Sequence, residues 1–513
     1  MFRTQPLCRV LLSVILASWP LLAFQAPEPA GPDSAPKQAD EAGTIEVALD
    51  QATTVEKSVT IGGARVPYRV TTGTQPVWNA ERRAIASMFY TYYERSDVAD
   101  KSTRPLVFSF NGGPGSASVW MHLAYTGPRL LKIDDEGFPI QPYGAQDNPN
   151  SILDVADILY IDPVNTGFSR VVGDAKRELF FGVNEDIEYL AKWLDTFVTR
   201  QGRWTSPKYL IGESYGTTRV AGLASQLQEA QWMYLNGVVL VSPTELGIER
   251  GGPVGDALSL PYFAATAWHH HKLAPELQAR DLEALLPEVE AFTLDELLPA
   301  LARGGALDAA DRERLSAKYA RYSGLDVGAV RRHNMAVPTS FFWKELLREE
   351  GLTVGRLDSR YRGLDRTDSG TSPDFDPALS SWNHAFAPAI NHYLREELGY
   401  ATDLQYWLFG PVHPWNHDGD RTGRSLQEAM AQNPYLHVLV QSGYFDGGTD
   451  YFNAKYTMWN MDPAGRFQDR LSWKGYRSGH MMYLRKPDLK AANDDIRAFI
   501  QSTMPASGVP ARR

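Results

Sequence analysis

The chain has 513 residues, 43% hydrophobic and 22% charged, with a net charge of −10 at pH 7. These values fit a globular protein with a large core and length enough for two or three domains. The acidic balance argues against nucleic-acid binding and offers no polybasic patch for a membrane surface, so neither a nucleic-acid nor a membrane partner is expected.

At the N-terminus, Arg3 and Arg9 precede the apolar run VLLSVILASWPLLAF, residues 10–24. A run this short, broken by Pro20, suits the apolar region of a secretory signal better than a bilayer span. Residues 1–26 are expected to be a cleaved signal, with an uncleaved anchor as the alternative, and the protein to be periplasmic or extracellular. The single cysteine, Cys8, lies in this segment. The exported chain is therefore expected to contain neither disulfides nor a thiol nucleophile. Residues 27–43, PEPAGPDSAPKQADEAG, read as a flexible linker.

The next stretches, TIEVALD, KSVTIGG, ARVPYRVTTGT and AIASMFYTYYER, alternate or cluster β-branched and aromatic residues. They predict antiparallel strands at one edge of a sheet. From about residue 105 the texture changes. PLVFSF, DILYID, KYLIG, GVVLVS and HVLVQSG are continuous apolar runs, the pattern of strands covered on both faces. NEDIEYLAKWLDTFV sets Ile187, Leu190, Leu194 and Phe197 at helical spacing, with Glu185 and Asp186 in its first turn. TTRVAGLASQLQEA does the same with Val220, Leu223 and Leu227. The expectation is an α/β protein: a mostly parallel sheet with crossover helices. Charge-rich helical stretches interrupt the alternation, so residues 44–250 and 381–513 are expected to form a core in two parts around a helical cap insertion, 251–380.

The chemistry begins at IGESYG, residues 211–216. In a G-x-S-x-G turn a strand passes abruptly into a helix and exposes the serine, here Ser214, at its apex. A serine hydroxyl needs a base, and on such a sheet the partners follow in the order serine, acid, histidine. YLHVLVQSGYFDGG supplies a late strand ending at Asp446, and of the eleven histidines only His480 lies beyond it. Ser214, Asp446 and His480 are the expected triad, with Asp450 as the alternative acid. SFNGGPGSAS, residues 109–118, follows a strand and carries glycines where backbone N–H groups can approach a ligand. The N–H groups of Gly113 and Tyr215 are the candidate oxyanion donors.

FNGGPGSAS, IDPVNTGFSR, GESYG, SGYFDG and SGHM, in this order, resemble the serine carboxypeptidase family that includes carboxypeptidase Y and cathepsin A. The resemblance covers roughly residues 65–250 and 380–505. It implies an α/β-hydrolase fold with a helical cap and removal of single residues from peptides with a free C-terminus. It also implies that Glu213 and Asn111 bind the substrate's terminal carboxylate. Two bare carboxylates repel, so such binding requires a shared proton, with Glu213 un-ionised as a donor and Asn111 as a neutral NH₂ donor. The sequence departs from the family at Ser116 or Ala117, where a cysteine is usual, and at Tyr125, near the place of a second glutamate. The latter departure predicts a weaker acid preference.

Other features carry less. Consecutive His269–His271 do not share one helix face, and neither a metal nor a cofactor is expected. HPWNHDGD (413–420) reads as a turn, and Asn165 or Phe168 as possible cleft walls. The alternative functions are an esterase or acyltransferase on the same fold, or a binding protein with a vestigial site.

Overall fold

The computed structural model describes residues 45–506 and 508–509. The expected signal and linker lie outside the described residues. From Glu46 onward the chain forms one compact unit.

The sheet is built from β1 (Ala52–Ile61), β2 (Ala64–Trp78), β3 (Ala84–Arg95), β4 (Leu106–Phe110), β5 (Asp157–Ile161), β6 (Lys208–Glu213), β7 (Gly237–Val241), β8 (His437–Gly443) and β9 (Leu471–Tyr476). Their spatial order is β1-β2-β3-β5-β4-β6-β7-β8-β9, and the short Arg170–Val171 strand pairs β3 from the side. The first three strands and the β3–β5 pair are antiparallel. From β5 to β9 every neighbour is parallel. With its flanking helices, this mostly parallel sheet is an α/β-hydrolase fold.

Side chains alternate along the buried strands and supply two cores. Val107, Ile158, Ile211, Val239 and Leu439 face one side. Phe108, Leu159, Leu210, Leu240 and Val440 face the other. The helices that flank the site are α1 (Val119–Ala124), α2 (Val183–Arg200) and α3 (Tyr215–Ala230). Helix α2 buries Ile187, Leu190, Leu194 and Phe197 at the expected spacing. Between β7 and β8 the chain is mainly helical and includes α4 (Leu260–His269), α5 (Leu282–Phe292), α6 (Ala309–Ser323), α7 (Thr339–Glu345) and α8 (Pro377–His392). This region has its own apolar cluster, in which Phe263 stacks on Phe342 at 4.0 Å. A smaller cluster joins Leu258, Leu282 and Leu286 to Phe445 just after β8, tying the helices to the sheet. Three further helices, α9 (Thr422–Gln432), α10 (Tyr451–Met461) and α11 (Lys486–Thr503), complete the layers.

One expectation fails here. TIEVALD forms no strand over its described residues, 45–50, and leaves Ile45 and Leu49 exposed. Alternation alone does not make a strand without a partner ladder, and the β1–β2 register begins only at Ala52 opposite Gly73.

Candidate active site

In parallel sheets of this kind ligands bind beyond the carboxyl ends of the strands, and the candidate residues lie there. Glu213 ends β6, Asn111 directly follows β4, and Asp446 lies three residues past β8. Ser214 occupies the turn from β6 into α3 with φ 57° and ψ −129°. No Cβ fits at two glycines beside it. One at Gly212 would meet Gly216 O at 2.1 Å; one at Gly112 would meet Tyr215 N at 2.4 Å. Gly112 thus leaves the Tyr215 N–H uncovered, and that N–H, at the first position of α3, has no intrahelical acceptor. Gly113, at φ +104°, takes a conformation open only to glycine.

His480 and Asp446 are both buried, and Nδ1 of the imidazole lies 2.8 Å from Asp446 Oδ2. The other carboxylate oxygen accepts the N–H groups of Gly448 (2.7 Å) and Thr449 (3.1 Å). The Thr449 hydroxyl lies 2.8 Å from Asp446 Oδ2 and 3.2 Å from His480 Nδ1, clamping the pair. Burial presses on both charged forms, yet their mutual attraction wins. The imidazole of His480 is held above its usual range and the carboxyl of Asp446 below its own. Asp450, the alternative acid, instead caps α10 by accepting the Asn453 N–H at 2.8 Å.

Glu213 is 2% exposed, and its Oε1 lies 4.0 Å from His480 Nε2. Burial pushes its carboxyl up to about 7, against opposing pulls from His480, Tyr483 and Asn111. Its Oε2 accepts a short hydrogen bond from the Tyr483 hydroxyl. Asn111 Oδ1 is fixed by the Met121 N–H at 3.0 Å, while its buried Nδ2 lacks a well-formed hydrogen bond. Ser214, Glu213, Asn111, Gly113 and His480 line one cavity of 150 Å³, whose apolar walls include Trp120, Leu379, Phe409 and Met481. Gly448 and Thr449 also border a second cavity of 630 Å³.

The glycine-rich loop is braced without a disulfide. Ala117 N–H donates to Leu408 O at 3.0 Å, and Gly410 N–H to Gly115 O at 2.8 Å. Asp162 accepts the Ser118 N–H at 2.9 Å. Buried Arg219 pairs with Asp186 at 2.7 Å and donates to Asn111 O at 2.7 Å. The Tyr125 hydroxyl bonds Gln441 rather than Glu213. Phe168 is no cleft wall: it is 1% exposed and packs edge-on against Phe89 and Tyr406. Asn165 accepts the Val171 N–H and is likewise not among the residues lining the cavity. His270 Nε2 lies 2.6 Å from Ser359 O, and His269 rests on Phe445. Among the described residues no group of three or more His, Cys, Asp or Glu is placed to hold a metal, and no helix is long and apolar enough to cross a membrane. Thr449 and Tyr483 were missed from sequence; each lies three residues beyond a triad member, but no motif marks it.

The chain is similar to known proteins over part of its length. The serine carboxypeptidase family model matches residues 73–244. Serine carboxypeptidase S10 family member 1 of Dictyostelium discoideum is 32% identical over 143 residues, 27% of this chain and 31% of that protein. Serine carboxypeptidase-like 31 of Arabidopsis thaliana is 29% identical over 226 residues, 42% of each chain. The matches thus span about a third to two fifths of the length of these relatives. A prohormone-processing carboxypeptidase from Saccharomyces cerevisiae shares the fold, with a TM-score of 0.53, 13% identity, and coverage of 85% of this chain and 92% of that one.

Proposed function

From membership of the serine carboxypeptidase family, carried by residues 73–244, we propose that this protein hydrolyses the C-terminal peptide bond of peptides through an acyl-enzyme on Ser214. His480 takes the hydroxyl proton through Nε2 as Ser214 Oγ attacks the scissile carbonyl, and Asp446 orients the imidazolium through Nδ1. The N–H groups of Gly113 and Tyr215 hold the oxyanion. His480 then protonates the departing amino acid, and water, activated by the same imidazole, releases the shortened peptide. The terminal carboxylate lies between Asn111 Nδ2 and a protonated Glu213, and the acyl side of the chain leaves past Gly448 and Thr449 into the adjoining cavity.

The observation that carries this reading is Glu213: an acid held near neutrality by burial, in the same cavity as Ser214, beside an amide donor with no well-formed bond of its own. A site for a neutral ester would gain nothing from this pair. The test is release of free amino acids from matched peptides bearing a free or an amidated C-terminus. Loss of charge-assisted hydrogen bonds to the terminus is expected to lower kcat/KM for the amide by roughly 100-fold. Ser214→Ala is expected to abolish turnover of both. Equal cleavage of the two peptides overturns the exopeptidase reading, and turnover of small esters alone assigns an esterase. We further propose export through residues 1–26, checked by the N-terminal sequence of the mature protein.

A further inference from the structure

A neutral carboxylic acid carries one O–H, and only the oxygen that bears it donates. If Glu213 grips a substrate carboxylate, the proton must be on the correct oxygen. One neighbour occupies the other oxygen. Tyr483, in the short turn after His480, is fully buried, and its hydroxyl donates to Glu213 Oε2. Its ring is held flat on that of Tyr125, with centroids 4.5 Å apart and planes 13° from parallel. Tyr125 is fixed in turn: its hydroxyl bonds Gln441, whose Nε2 donates to Tyr476 Oη at 2.8 Å.

We infer that Tyr483 is a positioning residue that confines the Glu213 proton to Oε1, the oxygen nearer His480, by occupying Oε2 as a fixed donor. This inference deepens the carboxylate-binding role proposed above and rests on it. Of the groups around Glu213, Tyr483 makes the well-formed hydrogen bond to its carboxyl, whereas Asn111 Nδ2 does not. From the loop after β9 come His480 and Tyr483; from the loop after β4 comes Asn111, a donor only through Nδ2 because its Oδ1 is occupied. Tyr125, at the end of α1, acts through its ring. Asp446 is the second carboxylate nearby and is committed to His480. Arg356, on the helical region, shares the cavity lining and presses on His480. Asp446 is the carboxyl that acts on Glu213, and with it committed to His480 a tyrosine that keeps its own proton takes the place of a shared one.

The consequence for pH has a definite sign. A phenol O–H bonds an ionised carboxylate more strongly than a neutral one, so Tyr483 favours ionised Glu213. Tyr483→Phe removes that preference. The pH at which peptide KM begins to climb should move up by about one unit, and peptide KM at low pH should rise several-fold as the O–H loses its fixed direction. The shift should be confined to substrates with a free terminus and absent from the pH profile of a small ester. In the opposite sense, 3,5-difluorotyrosine placed at position 483 is a stronger donor of nearly the same size, and should move the same limb to lower pH; it serves if the phenylalanine variant fails to fold. Superimposable KM profiles in wild type and variant, or an equal shift with the ester, overturn the inference. If wild type itself treats free and amidated termini alike, the carboxylate-binding reading falls, and this inference with it.

Discussion

Glu213 and His480 make opposite demands on pH within one cavity. His480 must be neutral to accept a proton. Asp446 holds its imidazole above the usual range, so kcat falls as pH drops through that raised value. In the proposed function Glu213 is protonated to bind the terminus; burial places it at about 7, so KM is expected to climb as pH rises through neutrality. The product is a narrow bell in kcat/KM for peptides. Glu213→Gln offers an amide donor that does not titrate. Its alkaline limb is expected to vanish while the acidic limb, set by His480, remains, and kcat/KM across pH 5–9 on one peptide measures both. An alkaline limb that survives in the glutamine variant would place its origin elsewhere. At this scale the sequence is legible where spacing itself carries chemistry: the G-x-S-x-G turn and the one histidine beyond Asp446. It is silent on Tyr483 and Thr449, because their bonds arise from tertiary approach. The tyrosine near the expected second acid, Tyr125, has its hydroxyl turned to Gln441.

The turn that exposes Ser214 places a non-glycine residue at φ 57°, a conformation that costs roughly 1–3 kcal/mol and persists only if its surroundings hold it. Strand β6 is fixed between β4 and β7, and α3 is fixed through Arg219. This buried guanidinium ties α3 to Asp186 on α2 and to the backbone of Asn111, so one side chain links the helix after Ser214 to the loop after β4. Removing one member of such a pair leaves an uncompensated buried charge, at a cost of about 3–5 kcal/mol. Arg219→Met is therefore expected to lower Tm by several degrees and to raise peptide KM as Asn111 loses its anchor. Adding Asp186→Asn should recover part of the lost Tm but none of the lost affinity, and melting curves of both single variants and the double variant test this. A double variant as unstable as the sum of the singles would mean the charges are not coupled. The buried strands were readable because both faces are covered, giving unbroken apolar runs. Strand β9 was not: LSWKGY is partly exposed at alternate positions, including Lys474, and so lacks that run. TIEVALD misled for the converse reason, an alternation without a partner.

Among the described residues, burial pushes several acids above their ordinary range, Asp186, Asp376 and Asp488 among them. Burial raises Asp162 to about 7, Glu213 to about 7 and Asp450 to about 6. A carboxyl whose folded pKa is raised contributes its full stability below the unfolded value of about 4 and loses it as pH climbs through the folded value. Between about pH 4 and its raised value each such group reduces stability by up to about 1.4 kcal/mol per pH unit. Asp446, held below its ordinary range, works the other way and contributes only above it, so it matters at more acid pH. The molecule should thus be most stable in mild acid and should soften toward neutrality, in the same sense as the easing of self-repulsion as the net charge of −10 falls. Asp162 isolates the effect, since it lies outside the cavity lining and its Oδ1 accepts the Ser118 N–H at 2.9 Å, a bond an asparagine carbonyl can also accept. Asp162→Asn is expected to reduce the fall in Tm between pH 5 and 8, as one of several such groups, and to be more stable than wild type at pH 8. Calorimetric Tm values at several pH values in that range test this. Parallel curves for the two proteins would show that Asp162 is ionised in the folded state, held by Arg170 rather than by its own proton.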